Sequence, residues 1–125
     1  MGLWGMLTGG RGASMRKEYE DAKARMKDAN AYELRGYYSN IQATWEHAVE
    51  FYANASSTER KEFMTGIRGE VQNMWQRGMW PQAVGAIISV LHAESAFVEG
   101  EDAAFVKREA AKIIADAQKF MEEVK

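Results

Sequence analysis

Two histidines are the side chains in this sequence best suited to metal binding or proton transfer. His47 has Glu46 beside it and Glu50 one helical turn later, and a histidine and a carboxylate at that spacing can bind one metal ion. In di-iron helical bundles the motif is Glu-x-x-His, and it occurs twice, with further carboxylates on other helices. Here the order is reversed, the pair occurs once, and position 44 is threonine. We therefore expect His47 to be a surface side chain that pairs with Glu50.

His92 is the second candidate, because Ser89, Glu94 and Ser95 lie close to it in an apolar segment. A nucleophilic serine needs an oriented base and a place for the oxyanion, and no Gly-x-Ser-x-Gly turn is present. We expect His92 to be partly buried and hydrogen-bonded, and the protein not to be an enzyme. The alternative is a small metal-binding or enzymatic bundle that uses either His47 with Glu50 or His92 with Glu94.

Other chemical motifs are weak or missing. The glycine-rich stretch TGGRGAS lacks the spacing of a phosphate-binding loop and follows no strand. The acidic residues Glu99, Glu101 and Asp102 do not form a calcium-binding EF-hand loop, and they suit the start of a helix. Zero cysteines exclude disulfides, thiolate metal sites and a cysteine nucleophile. We predict no cofactor and no metal ion.

The elements that would position these residues are helices, because apolar residues recur at spacings of three and four. No alternating strand pattern is present. The stripes are Met15, Tyr19, Ala22, Met26 and Ala29; Leu34, Tyr38, Ile41, Trp45, Ala48 and Tyr52; Phe63, Ile67, Val71, Met74 and Trp75; Val84, Ile88, Leu91, Ser95 and Val98; and Val106, Ala110, Ile113, Ala117, Phe120 and Val124. The fourth segment is apolar nearly all round, which is typical of a central helix.

Capping and turn residues predict short connections between these helices. Asn30 with Glu33 has the form of a capping box, which favours a new helix there, although one long kinked helix is an alternative. The other predicted end signals are Ser14, Ser57 or Thr58, Gly78 with Pro81, and Gly100. Short connections imply antiparallel neighbours. We predict an all-α fold: a compact bundle of four to five helices, mostly antiparallel, with the helix at about 81–99 central, an α-solenoid fragment being the alternative.

The first 13 residues form a predicted flexible apolar arm, and residues 14–125 form a predicted single helical-bundle domain. Gly9, Gly10 and Gly12 would join the two parts. The apolar side chains of the arm are Leu3, Trp4, Met6 and Leu7. No basic residue precedes them and position 6 is not Ser or Thr, so the arm matches neither a secretory signal nor a myristoylation site. Docking on protein, membrane contact and disorder remain open for it.

Some aromatic residues fall outside the predicted core stripes. Tyr37 and Phe51 make the second helix aromatic on more than one face, which burial against a partner chain or against a further helix would explain. Met79 and Trp80 lie in the turn before Pro81 and are candidates for a contact site, with a folded-back plug over the bundle end as the alternative. We also expect Gly36 to lie where another backbone comes close, because glycine disfavours a helix interior.

The distribution of charge is mild and argues against nucleic acid as a partner. Residues 1–40 carry 7 basic and 5 acidic groups, and residues 81–125 carry 5 and 8, without a strongly basic stripe. The combined expectation is a cytoplasmic, non-enzymatic protein–protein interaction module that forms a homo-oligomer through apolar and aromatic helix faces and the arm. A peripheral membrane protein that uses Leu3, Trp4, Met6 and Leu7 is the alternative.

Overall fold

The computed structural model describes residues 12–123, and within them the chain forms an all-α bundle. The helices are α1 (Gly12–Arg25), α2 (Ala31–Asn54), α3 (Ser57–Gln76), α4 (Trp80–Ser95) and α5 (Glu101–Glu123). No strand occurs in this part of the chain. The prediction of a compact all-α bundle of four to five helices is confirmed.

The break between α1 and α2 is made by Asn30. The Asn30 side-chain oxygen accepts from the backbone N–H of Glu33 at 2.8 Å, and the Glu33 carboxylate accepts from the Asn30 backbone N–H at 2.9 Å. This capping box satisfies two N–H groups that a helix start leaves without intrahelical partners. The prediction of a new helix is confirmed, and the alternative of one kinked helix is wrong.

Several predicted helix ends are displaced by a few residues. α1 begins at Gly12, so Ser14 lies inside the helix and is not its N-cap, and Gly12 belongs to the helix rather than to a flexible joint. A cap contributes only about 1 kcal/mol and does not by itself determine a boundary. The cap of α3 is Ser56, not Ser57 or Thr58, because a capping box places the serine three residues before Glu59.

The turns on either side of α4 depend on two glycines in the left-handed region. Gly78, at φ 77°, ends α3 as predicted, and Pro81 follows in the first turn of α4. The prediction that α4 continues to Glu99 is wrong, because the helix ends at Ser95. Gly100, at φ 117°, therefore does not cap α4 and lies directly before α5.

α4 is the central helix, as predicted, because it contacts α1, α2, α3 and α5. Every residue from Ala83 to Leu91 is buried. At Gly85 the α2 backbone comes close: a Cβ there would lie 2.7 Å from the carbonyl oxygen of Tyr37. Gly36 lies instead against a side chain, that of Gln82, so the close backbone approach predicted at Gly36 occurs at Gly85.

The other helices cover α4 and close the core. α5 packs against α1, α2 and α4, whereas α3 packs chiefly against α4. The Tyr19 and Phe105 rings join α1 to α5 edge to face at 6.0 Å, and the Tyr38 and Phe120 rings join α2 to α5 at 5.2 Å. Aromatic pairs of this geometry add to the hydrophobic stabilisation of the bundle.

Candidate functional site

The residues predicted to contact a partner differ in their exposure to solvent. The arm residues Leu3, Trp4, Met6 and Leu7 lie outside the described residues. Tyr37 is buried, Phe51 and Trp80 are partly buried, and Met79 is exposed. Of the four predicted contact residues that the structure describes, Met79 therefore presents the most open surface.

Tyr37 belongs to the core, so the alternative of burial against a further helix is confirmed for it and its predicted role as a contact for another chain is wrong. Its side chain is 4% exposed, and its ring lies 5.1 Å from that of Tyr38. Burial raises the pKa of the Tyr37 hydroxyl, and nearby groups that include Asp116 of α5 add to the rise. The physical reason is that α2 packs against α4 on one side and α5 on another, so its buried arc is wider than one stripe.

Phe51 packs within its own chain, in an aromatic cluster made of Phe51, Tyr52, Phe63 and Phe97. The Phe51 and Phe63 rings stack at 4.9 Å, and the Tyr52 ring meets Phe63 edge to face at 5.6 Å and Phe97 at 5.5 Å. Through this cluster α2 and α3 pack against the segment that follows α4. Sequence periodicity placed Phe63 in the core but did not show that Phe51 would stack on it.

The Tyr52 hydroxyl is buried in this cluster beside Glu94. Burial first, and the Glu94 carboxylate second, raise the pKa of Tyr52. The Glu94 carboxylate contributes both as a hydrogen-bond acceptor and through its negative charge, although the hydroxyl makes no hydrogen bond of standard geometry within residues 12–123. Glu94, a candidate partner of His92 in catalysis, thus lies next to a tyrosine.

The α3–α4 turn carries an exposed apolar surface, here called the turn surface, made of Arg25, Trp75 and Met79. Trp75 and Met79 are 38% and 37% exposed, and the Arg25 guanidinium lies 5.3 Å from the centre of the Trp75 ring. Trp80 beside them packs against the core, as the plug alternative expects, and holds the turn in place. Trp75 was predicted to be buried, but it lies at the edge of the apolar face of α3.

His92 is partly buried and hydrogen-bonded, as predicted. The indole N–H of Trp45 donates to His92 Nδ1 at 3.0 Å, which requires that nitrogen to be unprotonated. Burial, followed by the positive charge of Lys107, lowers the pKa of His92 below 6.5. Nearby, the Ser95 hydroxyl donates to the His92 main-chain carbonyl, and the Ser89 hydroxyl lies within hydrogen-bond distance of the Ile41 and Gly85 carbonyls.

His47 is exposed, and its ring lies 5.7 Å from that of Phe63. It makes no ion pair with Glu50, so the pairing predicted between them is wrong, while Glu46 accepts a hydrogen bond from Gln42 at 2.7 Å. In the part of the chain that the structure describes, no three histidine, aspartate or glutamate side chains are grouped so that they could hold a metal ion.

Comparison with known proteins adds no relative to this description. No protein-family model matches the chain, and searches of curated proteins and of solved structures find no match. Of the helices between residues 12 and 123, none combines the length and the apolarity needed to cross a bilayer. What can be inferred about function therefore depends on the surfaces of the bundle itself.

Proposed function

We propose that this protein is a non-enzymatic protein–protein interaction module that associates with a second copy of itself through the turn surface. The observation that carries the proposal is the exposure of Trp75 and Met79, four residues apart in the chain, with an arginine beside the Trp75 ring. Tryptophan, methionine and arginine are the residue types enriched where proteins meet. The other large apolar side chains exposed among residues 15–123 lie on α2, for Tyr32 and Val49, and in the connection between α4 and α5, for Phe97.

Charge complementarity favours a second copy as the partner. The turn surface contains Arg25 of α1, and the exposed Arg77 lies in the α3–α4 turn. The C-terminal third of the chain is acidic, with 5 basic and 8 acidic residues from 81 to 125. A second copy can therefore place carboxylates of α5 beside these arginines, in a head-to-tail contact.

The exposed area predicts that this association is weak. Trp75 and Met79 together leave roughly 150 Å² of mostly apolar surface exposed, given the areas of large side chains. Burying that area contributes about 4 kcal/mol, whereas association costs about 4–15 kcal/mol in lost freedom of motion. Contacts of the arginines and of the residues around the turn surface must supply the difference between this gain and the cost of association. We therefore expect a complex that forms only at high protein concentration.

Sedimentation velocity of the full chain over a wide range of concentrations tests the proposal. We expect the average sedimentation coefficient to rise with concentration, and Trp75→Ala to abolish the rise. Val49→Ala is the matched control, because Val49 is 39% exposed on α2 and its neighbour Ala48 packs with Ala93, at the opposite end of α4 from Met79. A strict monomer at every concentration refutes self-association. If Trp4→Ala abolishes the rise and Trp75→Ala does not, the arm makes the contact and the turn surface does not.

A further inference from the structure

We propose that a cleft between α3 and the end of α4 binds a small molecule that carries a phosphate group. The cleft, called the basic cleft here, has a volume of about 440 Å³ and is lined by Arg60, Lys61, Arg68, Glu94 and Phe97, among others. This volume lies within the usual range for sites that bind small molecules. The turn surface does not overlap it, so this inference is independent of the proposed self-association.

The charge of the basic cleft is uncompensated. Arg60, Lys61 and Arg68 come from one face of α3, and none of them is within ion-pair distance of a carboxylate anywhere in residues 12–123. One lining residue, Glu94, is acidic, which leaves the lining with a formal charge of about +2 at neutral pH. An anionic ligand would neutralise that charge.

Arg68 supplies a second and independent observation. Its Nε atom is buried, and no acceptor in the described chain receives a hydrogen bond from it. A buried donor without a partner is unfavourable, and such groups are rare in folded proteins. Arg68 lines the basic cleft, so a small rotation of its side chain would turn the unsatisfied guanidinium group towards an oxygen atom of a bound ligand.

Arg60 is held in place before any ligand binds. It donates from Nη1 to the main-chain carbonyl of Ala55 at 3.1 Å, and its guanidinium lies 4.3 Å from the centre of the Phe97 ring. The side chain therefore loses little further freedom on binding, and its other N–H groups can still donate. Phe97 is 45% exposed because α4 ends at Ser95, before the ring is covered.

The chemistry of the basic cleft favours phosphate over other anions. Two guanidinium groups and an ammonium group can donate to several oxygen atoms at once, and arginine forms paired hydrogen bonds with phosphate. Phe97 and Met64 add an apolar wall for the organic part of the ligand. Glu94 in the lining, and the absence of a basic stripe along the chain, disfavour a nucleic acid. A soluble phosphate ester and a lipid phosphate headgroup share this chemistry.

Isothermal titration calorimetry of the full chain with inorganic pyrophosphate, at low ionic strength, tests the proposal. We expect saturable binding at one site, weakened about tenfold or more by Arg68→Gln. Lys61→Gln should also weaken it, and because Lys61 is exposed, this variant folds even if a change at Arg68 disturbs the bundle. Glu94→Gln should tighten binding, since it removes the carboxylate that opposes the anion.

Lys119→Gln is the matched control, because it removes the same charge from an exposed position on α5 outside the basic cleft. Binding should change by less than about twofold in this variant. No saturable binding of pyrophosphate, or an equal loss in Lys119→Gln and Lys61→Gln, overturns the proposal. Binding of a poly-glutamate peptide without binding of pyrophosphate overturns it as well, in favour of an acidic protein partner.

Flotation with phosphatidylcholine vesicles that contain phosphatidic acid distinguishes the two sources of phosphate. If the vesicles bind the protein, and Arg68→Gln weakens both vesicle and pyrophosphate binding, the ligand is a lipid headgroup. If pyrophosphate binds and the vesicles do not, the ligand is a soluble phosphate ester. Both results support a phosphate site in the basic cleft.

Discussion

Replacing Gly85 by alanine tests the close approach of the α2 and α4 backbones. A Cβ at position 85 would lie 2.7 Å from the carbonyl oxygen of Tyr37, 3.3 Å from Cγ1 of Ile41 and 3.4 Å from the Ile41 backbone nitrogen. Even close carbon–oxygen contacts in proteins are about 3.3 Å or longer. The nearest obstacle is a main-chain atom, so no side-chain rotation relieves the clash, and α2 and α4 must separate.

Two opposing effects determine the size of the change. Alanine favours a helix interior over glycine by about 1 kcal/mol. Overpacking at a closed contact costs about 1–3 kcal/mol. Separation also lengthens the contact of the Ser89 hydroxyl with the Ile41 carbonyl, now 3.1 Å, but the hydroxyl keeps the Gly85 carbonyl of its own helix, at 3.0 Å, as an acceptor. We therefore expect Gly85→Ala to lower the free energy of unfolding by up to about 2 kcal/mol.

Urea denaturation followed by circular dichroism measures this change, and α3 offers matched controls. Like Gly85, Gly66 and Gly69 lie several residues away from the ends of their helix. A Cβ at either position meets nothing within 4 Å. Gly66→Ala and Gly69→Ala should each raise the free energy of unfolding by about 0.5–1 kcal/mol. If Gly85→Ala stabilises the protein as much as these controls do, the close approach of α2 and α4 is wrong.

Two further predictions concern buried polar groups. Tyr52→Phe should change the free energy of unfolding in urea denaturation by less than about 1 kcal/mol, because the contact of the buried hydroxyl with Glu94 lies outside standard hydrogen-bond geometry; a larger loss would show that a full hydrogen bond to Glu94 forms. The pKa of His92 is lowered in the folded state, so the unfolded chain binds a proton more readily and stability falls as the pH decreases through 6.5 towards the lower folded pKa. NMR titration should place the midpoint of His92 below 6.5, and Trp45→Phe should raise it by removing the indole donor to Nδ1; a midpoint at or above 6.5 in the native protein contradicts the burial of the ring.

Helix positions and core faces could be predicted from the sequence because they depend on near neighbours. The spacing of Met15, Tyr19 and Ala22 is a property of one turn after another, and all three are buried in the structure. The capping box of Asn30 and Glu33 is local as well, and it separates α1 from α2 as predicted. Helix ends were less accurate, because single caps contribute little compared with the packing of a whole helix.

The candidate sites were harder to predict, because they combine residues that are distant in sequence. Tyr37 lies off the stripe of α2 and is nevertheless buried, since two other helices cover α2. The basic cleft was not anticipated, although Arg60 and Arg68 are eight residues apart and thus on one helix face. That spacing was the available signal, but the cleft exists only because Phe97 and Glu94 of the α4 region face it.

The amino-acid sequence alone determined that this chain forms helices, which of their faces are apolar, and that the helix from Pro81 onward is surrounded by the others. These properties follow from the helical period and from turn residues, both of which act over a few positions. The tertiary structure decided which apolar residues remain exposed, such as Trp75, and which cations remain without counter-charges, such as Arg68. Burial and charge pairing depend on which helices lie side by side, and that arrangement minimises the free energy of the whole chain rather than that of any segment.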